Sequence, residues 1–532
     1  MVHTTVFRRP LAYVLGSVAL SLAGCGGGDD APSASANLYY QTKTPYSPQQ
    51  NAATYEAPPS GYSTVYTQLM ARHGSRGLSS LKYDLAVYNM WKKASDDGAL
   101  TALGAQLGPD VLKIMKANFL LGYNVAGISK PGYGNETQVG ITEHTQLAQR
   151  MLSRNAALFT QAGAAAASSP RQIVVVTSGV DRAVDSGAFF VKSLLAAQTN
   201  LTSLVNYPAA PAPYPAAAPV AQPAGTNHFL LYFHKLVAAT DLVTNPADPL
   251  YPTYQDSQAF QNWLKDSDLA AKQAAILADP AAKTAGRVVL ERLFTKAFVD
   301  KIEAGTYSFA NTGTFTYSSD DGKFTSTLAG DGKTGISNLG EAASLLYELY
   351  VIAPAMKSEA KVDFSGYMPL AQAQYFAFTQ DAADFYKMGP GILEKGSVTW
   401  KMAQILEDDF FTEVDAIAKG NLGHVAKLRF AHAEIVIPFA SKMGLKNVLQ
   451  QQPLASLYSY ANNPWRGDYV APMAANMQWD VVKNSSGTVL VKMLYNEKET
   501  DFKAACDSAR FATGSHYYDY TKLKTCYGHT SL

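Results

Sequence analysis

Short apolar runs and longer periodic stretches alternate along this chain, and the alternation predicts its elements. Residues 64–70, Thr-Val-Tyr-Thr-Gln-Leu-Met, read as a buried strand ending at Ala71-Arg72-His73-Gly74. In residues 141–159, Leu147, Met151, Leu152 and Leu158 recur near the helical period of about 3.6. Ile173-Val174-Val175-Val176 is the clearest strand in the sequence. It runs through Thr177-Ser178-Gly179 into a helical stretch carrying Phe189, Phe190 and Leu194. From 228 to about 419 the pattern is mostly helical. One interruption, residues 314–325 around Ser319-Asp320-Asp321-Gly322, reads as a β-hairpin. Strand character returns at 428–430 and at 489–494, and no internal repeat is present.

Strands alternating with helices at both ends of the chain predict an α/β fold with a three-layer α/β/α core. The helical middle is then an inserted, mostly helical cap domain. The expected division is 62–225 and 420–532 for the core and 226–419 for the cap. A Pro/Ala-rich stretch at 208–225 reads as a surface excursion. In open α/β sheets the site lies at the carboxyl ends of strands, and the segments after Met70 and after Phe430 both occupy such ends.

Composition narrows the function class. The chain has 532 residues, 47% of them hydrophobic, ample for one large core with a cap. Its net charge of +1, from 44 Lys+Arg against 43 Asp+Glu, gives no global basic face and argues against a nucleic-acid partner.

The N-terminus reads as a targeting segment. Arg8 and Arg9 precede a short apolar stretch, residues 11–22, which ends in Leu22-Ala23-Gly24-Cys25. This resembles a bacterial lipoprotein signal, with residues 1–24 removed and Cys25 acylated. The expected location is the bacterial cell envelope, with the lipid anchor as the sole membrane contact. Residues 25–61, rich in Ala, Pro, Ser, Gly and Gln, read as a flexible tether and extended lead-in. Of three cysteines, Cys506 and Cys526 remain, close together near the end of an exported chain, and read as a disulfide. No clustered His/Cys spacing indicates a structural metal site.

Candidate chemistry begins at Arg72-His73-Gly74-Ser75-Arg76. Phosphoryl transfer needs a nucleophile in line with the leaving oxygen and cations around the equatorial oxygens. An imidazole flanked by two guanidiniums supplies both, because Arg forks match phosphate oxygens. The other segments of interest are Val180-Asp181-Arg182-Ala183-Val184-Asp185-Ser186 and Arg429-Phe430-Ala431-His432-Ala433-Glu434.

Together, and in this order, the three segments resemble the histidine phosphatase superfamily in its acid phosphatase and phytase branch. The R-x-V-D-S stretch and the His-Ala-Glu form are similar to multiple inositol polyphosphate phosphatases. The resemblance implies that His73 is the phosphorylated nucleophile and that Arg72, Arg76 and Arg182 bind phosphate. It also implies that protonated His432 holds the phosphoryl group and that Glu434 protonates the leaving group. Weaker likeness at Gly140-Ile141-Thr142-Glu143-His144 and at Pro472-Met473-Ala474-Ala475-Asn476 extends it over most of residues 62–495. The family's Pro two places after the second Arg is absent, with Gly77-Leu78 in its place.

The implied activity is hydrolysis of a small-molecule phosphomonoester, inositol polyphosphate (phytate) first, without cofactor or metal. Two alternatives stand beside it: a broad-specificity acid or sugar phosphatase on the same fold, and a non-catalytic phospho-ligand-binding lipoprotein. Neither the oligomeric state nor the preferred position on the inositol ring is legible in the sequence. His144, His228, His234, His424, His516 and His529 read as structural or surface residues.

Overall fold

The central strand β1, Tyr62–Arg72, is buried without interruption from Tyr66 onward, as a strand covered on both faces must be. It belongs to a computed structural model that describes residues 37–209, 222–278 and 280–529. The remaining strands of its sheet are β2 (Gln172–Thr177), β3 (Val205–Asn206), β4 (His424–Ala431), β5 (Asn476–Asn484), β6 (Val489–Tyr495), β7 (Lys498–Glu499) and β8 (Tyr517–Asp519). Their order is β7-β6-β5-β1-β4-β2-β3, with β8 also paired to β6. Strands β1, β4, β2 and β3 run parallel, and β5 and β6 are antiparallel additions.

Register positions the site. Arg72 pairs with Ala431, and Thr177 pairs with Phe430. Three parallel strands therefore end at one level, so the segments that follow them meet above the same edge of the sheet.

Alternation along the strands sends side chains to two different cores. Leu69, Ala71, Ile173 and Val175 face helices α3 (Gln138–Arg154) and α4 (Asp181–Ala197), meeting Leu147, Met151, Phe190 and Leu194. Tyr66, Met70, Val174 and Val176 face the opposite side. There they pack with Phe410 and Phe411 of one helix (Gln404–Ala418) and with Ile435 and Phe439 of another (Ala433–Lys442). The expected three-layer α/β/α arrangement is present.

A second core joins the early helices α1 (Lys82–Asp96) and α2 (Gly104–Leu120) to later helices Pro280–Glu291 and Leu339–Ile352. The sequence division placed α1 and α2 with the phosphatase core, but they bury their apolar faces among helices of 226–419. Conversely, the helix Gln404–Ala418, assigned to the cap, lies under the sheet, where the rings of Phe410 and Phe411 each meet Trp479 at 5.2 Å. Periodicity reports that a helix has an apolar face, and it is silent on which neighbour covers it. The expected hairpin is present as Thr314–Ser318 paired with Thr325–Ala329.

The flexible tether expected over 25–61 does not reach 61. From Leu38 onward the chain forms a strap held by hydrogen bonds. Gln41 and Thr42 are buried, the Tyr46 amide donates to Glu143 Oε1 at 2.8 Å, and Tyr55 Oη donates to the Glu497 carbonyl at 2.6 Å. Polar composition suggested disorder because such a segment buries little apolar surface, but here polar groups of the folded body pin it. The expected signal peptide 1–24, the lipidation site Cys25 and the tether up to residue 36 lie outside the described residues, as does 210–221 of the Pro/Ala-rich stretch. Cys506 and Cys526 form a disulfide, with Cα atoms 5.7 Å apart.

Candidate active site

Backbone hydrogen bonds lock the segment after β1 into place. The His73 amide donates to the Ala431 carbonyl at 2.9 Å, and the Ala474 amide donates to the His73 carbonyl at 3.0 Å. His73 is buried, and its Nδ1 lies 2.9 Å from the Gly74 carbonyl oxygen. A carbonyl can only accept, so Nδ1 carries the proton and Nε2 presents its lone pair. Burial, with the positive charges of Arg182, Arg72, His432 and Arg76, holds this imidazole well below its ordinary pKa. His73 is thus a neutral imidazole with a free nitrogen, the form a nucleophile needs.

Helix α3 braces the loop from outside. Glu143 accepts from both the amide and the hydroxyl of Ser75, each at 2.7 Å. His144 Nε2 donates to the Arg72 carbonyl at 3.1 Å. Just before the helix, Glu136 Oε1 accepts from the Gly74 amide at 2.8 Å. Burial raises Glu136 to about 8, and its Oε1 also accepts from Ser186 Oγ, whose hydroxyl lies 2.7 Å from the Arg182 carbonyl oxygen. This chain of bonds ties the loop after β1 to helix α4. A Cβ on Gly74 would fall 2.7 Å from the Gly140 carbonyl oxygen, so only glycine fits between the loop and α3. Where the family has proline, the Leu78 amide donates to Asn118 Oδ1 at 2.8 Å, a bond that proline lacks the hydrogen to make.

All three expected arginines come to the site. Arg72 is buried, and its Nη1 donates to the carbonyls of Thr42 and Ala471, each at 2.6 Å. Arg76 Nη1 donates to the Gly77 carbonyl at 2.7 Å. Arg182 stands in the first turn of α4, where the helix N-terminus also favours an anion. None of the three forms an ion pair among the described residues, and the Nε of each is buried without a hydrogen-bond partner. Burial lowers all three pKa values, that of Arg72 to about 10, and mutual repulsion adds to the effect for Arg72 and Arg76. Glu434 offsets part of this repulsion, and an anion among the three guanidiniums would offset more.

On the other side, His432 caps the helix Ala433–Lys442, and its ring meets that of His73 edge to face, 5.5 Å between centroids. Its Nε2 lies 2.8 Å from Ser178 Oγ, and its Nδ1 is buried without a partner. The expectation of a protonated His432 does not hold in the free site. Burial and the charge of Arg182 keep it well below the ordinary imidazole value. A bound phosphate would oppose that field and favour the proton. Glu434, in the first turn of the same helix, is half-buried and ionised. Burial pushes its carboxyl upward, but His234, His432, its own amide and Arg72 together pull it well below the usual range.

Two residues with no expected role also belong here. Ser178 stands at the carboxyl end of β2, where the strand pattern pointed without singling it out. His234, read as structural, lies in the segment that begins at residue 222. Its ring meets Tyr232 at 4.6 Å, and Tyr232 meets His432 at 5.7 Å. Burial lowers His234 to about 4, and its Nδ1 has no partner. No sequence pattern marks it, since it reaches the site from the cap segment. His144 is structural here, as expected.

A three-layer α/β/α core with a buried neutral histidine among three arginines, and a His-Ala-Glu segment opposite, is the arrangement of a histidine-type phosphatase. No protein-family model and no curated protein matches the chain. Solved structures do. The multiple inositol polyphosphate phosphatase of Bifidobacterium longum, in its apo form, is 34% identical with a TM-score of 0.79, covering 93% of this chain and 99% of that one. Its complex with inositol hexasulfate matches at 33% and 0.77 over the same shares. The phytase from D. castellii, 11% identical, matches at 0.55 over 92% and 84% and shares the fold. The chain belongs to the multiple inositol polyphosphate phosphatase family.

Proposed function

We propose that this protein removes phosphate from inositol polyphosphates, phytate among them, through a phosphohistidine on His73. The observation that carries the reading is the neutral His73 Nε2 set among three buried guanidiniums whose Nε atoms lack partners. Support for the substrate class comes from the similar Bifidobacterium enzyme, which binds inositol hexasulfate and phosphate.

In the first step the lone pair of His73 Nε2 attacks phosphorus and the P–O ester bond breaks. Arg72, Arg76 and Arg182 take up the charge on the equatorial oxygens. His432, held by Ser178, directs its unpartnered Nδ1 at the phosphoryl group. Glu434 gives its proton to the departing alkoxide. In the second step the Glu434 carboxylate takes a proton from water, the resulting hydroxide attacks phosphorus, and the P–N bond breaks to release phosphate and free His73. Glu434 is ionised in the free site, so its proton arrives with the substrate. Phosphate negative charge opposes the positive charges of His234, His432 and Arg72 that held the carboxyl down.

The deciding experiment compares kcat/KM for phytate, glucose 1-phosphate and an aryl phosphate. A higher value for phytate supports the reading. Comparable or lower values would leave a general acid or sugar phosphatase, and no turnover of any of the three would leave a binding protein.

The envelope location and the lipid anchor on Cys25 belong to the same proposal, resting on Leu22-Ala23-Gly24-Cys25 after the apolar stretch. Cys25→Ser should move the protein from the membrane to the soluble fraction. Retention on the membrane would defeat the anchor.

A further inference from the structure

Glu407 and Asp408 stand side by side at the start of the helix Gln404–Ala418. The end of the chain brings a histidine to them. His529 Nε2 lies 3.2 Å from Glu407 Oε1, and its Nδ1 lies 3.7 Å from Asp408 Oδ1. Two supports hold that imidazole in place. Its ring stacks on Phe411 of the same helix, 4.2 Å between centroids, and the Cys506–Cys526 disulfide fixes the chain just before it.

One ligand atom from each residue, a ring nitrogen and two carboxylate oxygens, falls within 4.8 Å of the others. Donors on one zinc ion, each about 2.1 Å from it, are at most about 4.2 Å apart. Rotation of Asp408, whose side chain is 45% exposed, closes that difference. Glu407 gives an independent sign of a ligand. Its side chain is 2% exposed. Its Oε1 accepts from Gln404 Nε2 at 3.1 Å, and the Lys442 ammonium stands 3.6 Å from that same oxygen. Its Oε2 is buried and meets no donor among the described residues. A buried carboxylate oxygen without a donor costs free energy that a cation would recover.

The donor set selects the ion. An imidazole nitrogen with two carboxylate oxygens suits zinc and its late first-row neighbours, whereas magnesium and calcium take oxygen donors. Three protein donors leave a fourth tetrahedral position for water.

We propose that Glu407, Asp408 and His529 bind a divalent transition-metal ion of the zinc class, which ties the end of the chain to the helix Gln404–Ala418. The site is separate from the phosphatase centre. Lys442, beside Glu407, ends the helix Ala433–Lys442 that His432 caps, so about 14 Å of helix axis lies between the two.

The test is calorimetric titration of zinc chloride into the full chain, stripped of metal with a chelator and held in phosphate-free buffer. Zinc should bind the unsubstituted protein. His529→Ala and Asp408→Asn should each weaken that binding by at least about tenfold, since even the outer partners of a bound metal are worth that much. His516→Ala, which removes an imidazole paired with Asp501, should bind zinc as the unsubstituted protein does. Zinc should also raise the unfolding midpoint of the unsubstituted protein but not of His529→Ala, because the ion binds the folded chain. Unchanged turnover of p-nitrophenyl phosphate in each variant separates lost zinc from lost fold. Absence of zinc binding overturns the site and leaves His529 and Glu407 as an ion pair. An affinity unchanged in either His529→Ala or Asp408→Asn, or lowered equally in His516→Ala, also overturns it and places the ion elsewhere.

Discussion

Ser178 Oγ lies 2.8 Å from His432 Nε2, joining the end of β2 to the residue that follows β4. With Nε2 engaged, His432 has only its buried Nδ1 to offer a ligand. In the proposed mechanism, Ser178 thus sets which imidazole nitrogen faces the reacting phosphoryl group. Ser178→Ala should lower kcat roughly fivefold, the value of one hydrogen bond worth about 1 kcal/mol, with the fold retained. Wild-type kcat in Ser178→Ala would assign His432 another anchor.

His73→Ala should abolish turnover while leaving the circular dichroism and melting transition in place, because the backbone bonds of residue 73 do not depend on its side chain. Acid-quenched reaction with a labelled phosphomonoester should trap phosphate on the unsubstituted protein. Label persisting in His73→Ala would place the nucleophile elsewhere.

For Glu434→Gln, the shape of the side chain is kept and the transferable proton is lost. Phytate hydrolysis should fall roughly 10²- to 10⁴-fold, the range for one acid–base group. Release of nitrophenol in the pre-steady-state burst should suffer much less, since nitrophenolate departs without a proton. A burst slowed as far as phytate turnover would recast Glu434 as a group that shapes the pocket.

The pH profile follows from two depressed pKa values. His73 is held well below about 6.5, the ordinary imidazole value, so lowering pH through that value leaves the nucleophile neutral and competent. Glu434 is held below the usual carboxyl range, so its acid form grows scarcer as pH rises. Glu434 should therefore make kcat/KM for phytate increase from neutral toward acidic pH, and His73 should impose no break near 6.5. A fall in kcat/KM below that pH would mean that His73 titrates normally.

Cys506–Cys526 closes a short loop, with 20 residues of sequence separation, and packs Cys506 into the core under the sheet. In the chain-entropy model such a loop is worth about 3 kcal/mol. Dithiothreitol should therefore shift the unfolding midpoint of the unsubstituted protein downward and leave Cys506→Ser/Cys526→Ser unaffected. Two free thiols on alkylation without reduction would contradict the bridge.

Much of the site was legible because its chemistry is local. Arg72, His73 and Arg76 fall within five residues at the end of one buried strand, and His432 and Glu434 follow another. A strand end fixes where such side chains go, so motif plus strand pointed to the α/β class and to the residues that gather in the site. Tertiary structure alone decided what arrives from far along the chain. His234 comes from the cap segment, Glu143 grips the catalytic loop and the strap together, and residues 38–61 became an ordered strap although their composition promised a tether. The same holds for α1 and α2, which joined the later helices. The physical reason is common to all four. Hydrophobic periodicity and polarity state what a segment must bury or can expose, whereas the identity of the covering surface depends on contacts hundreds of residues apart.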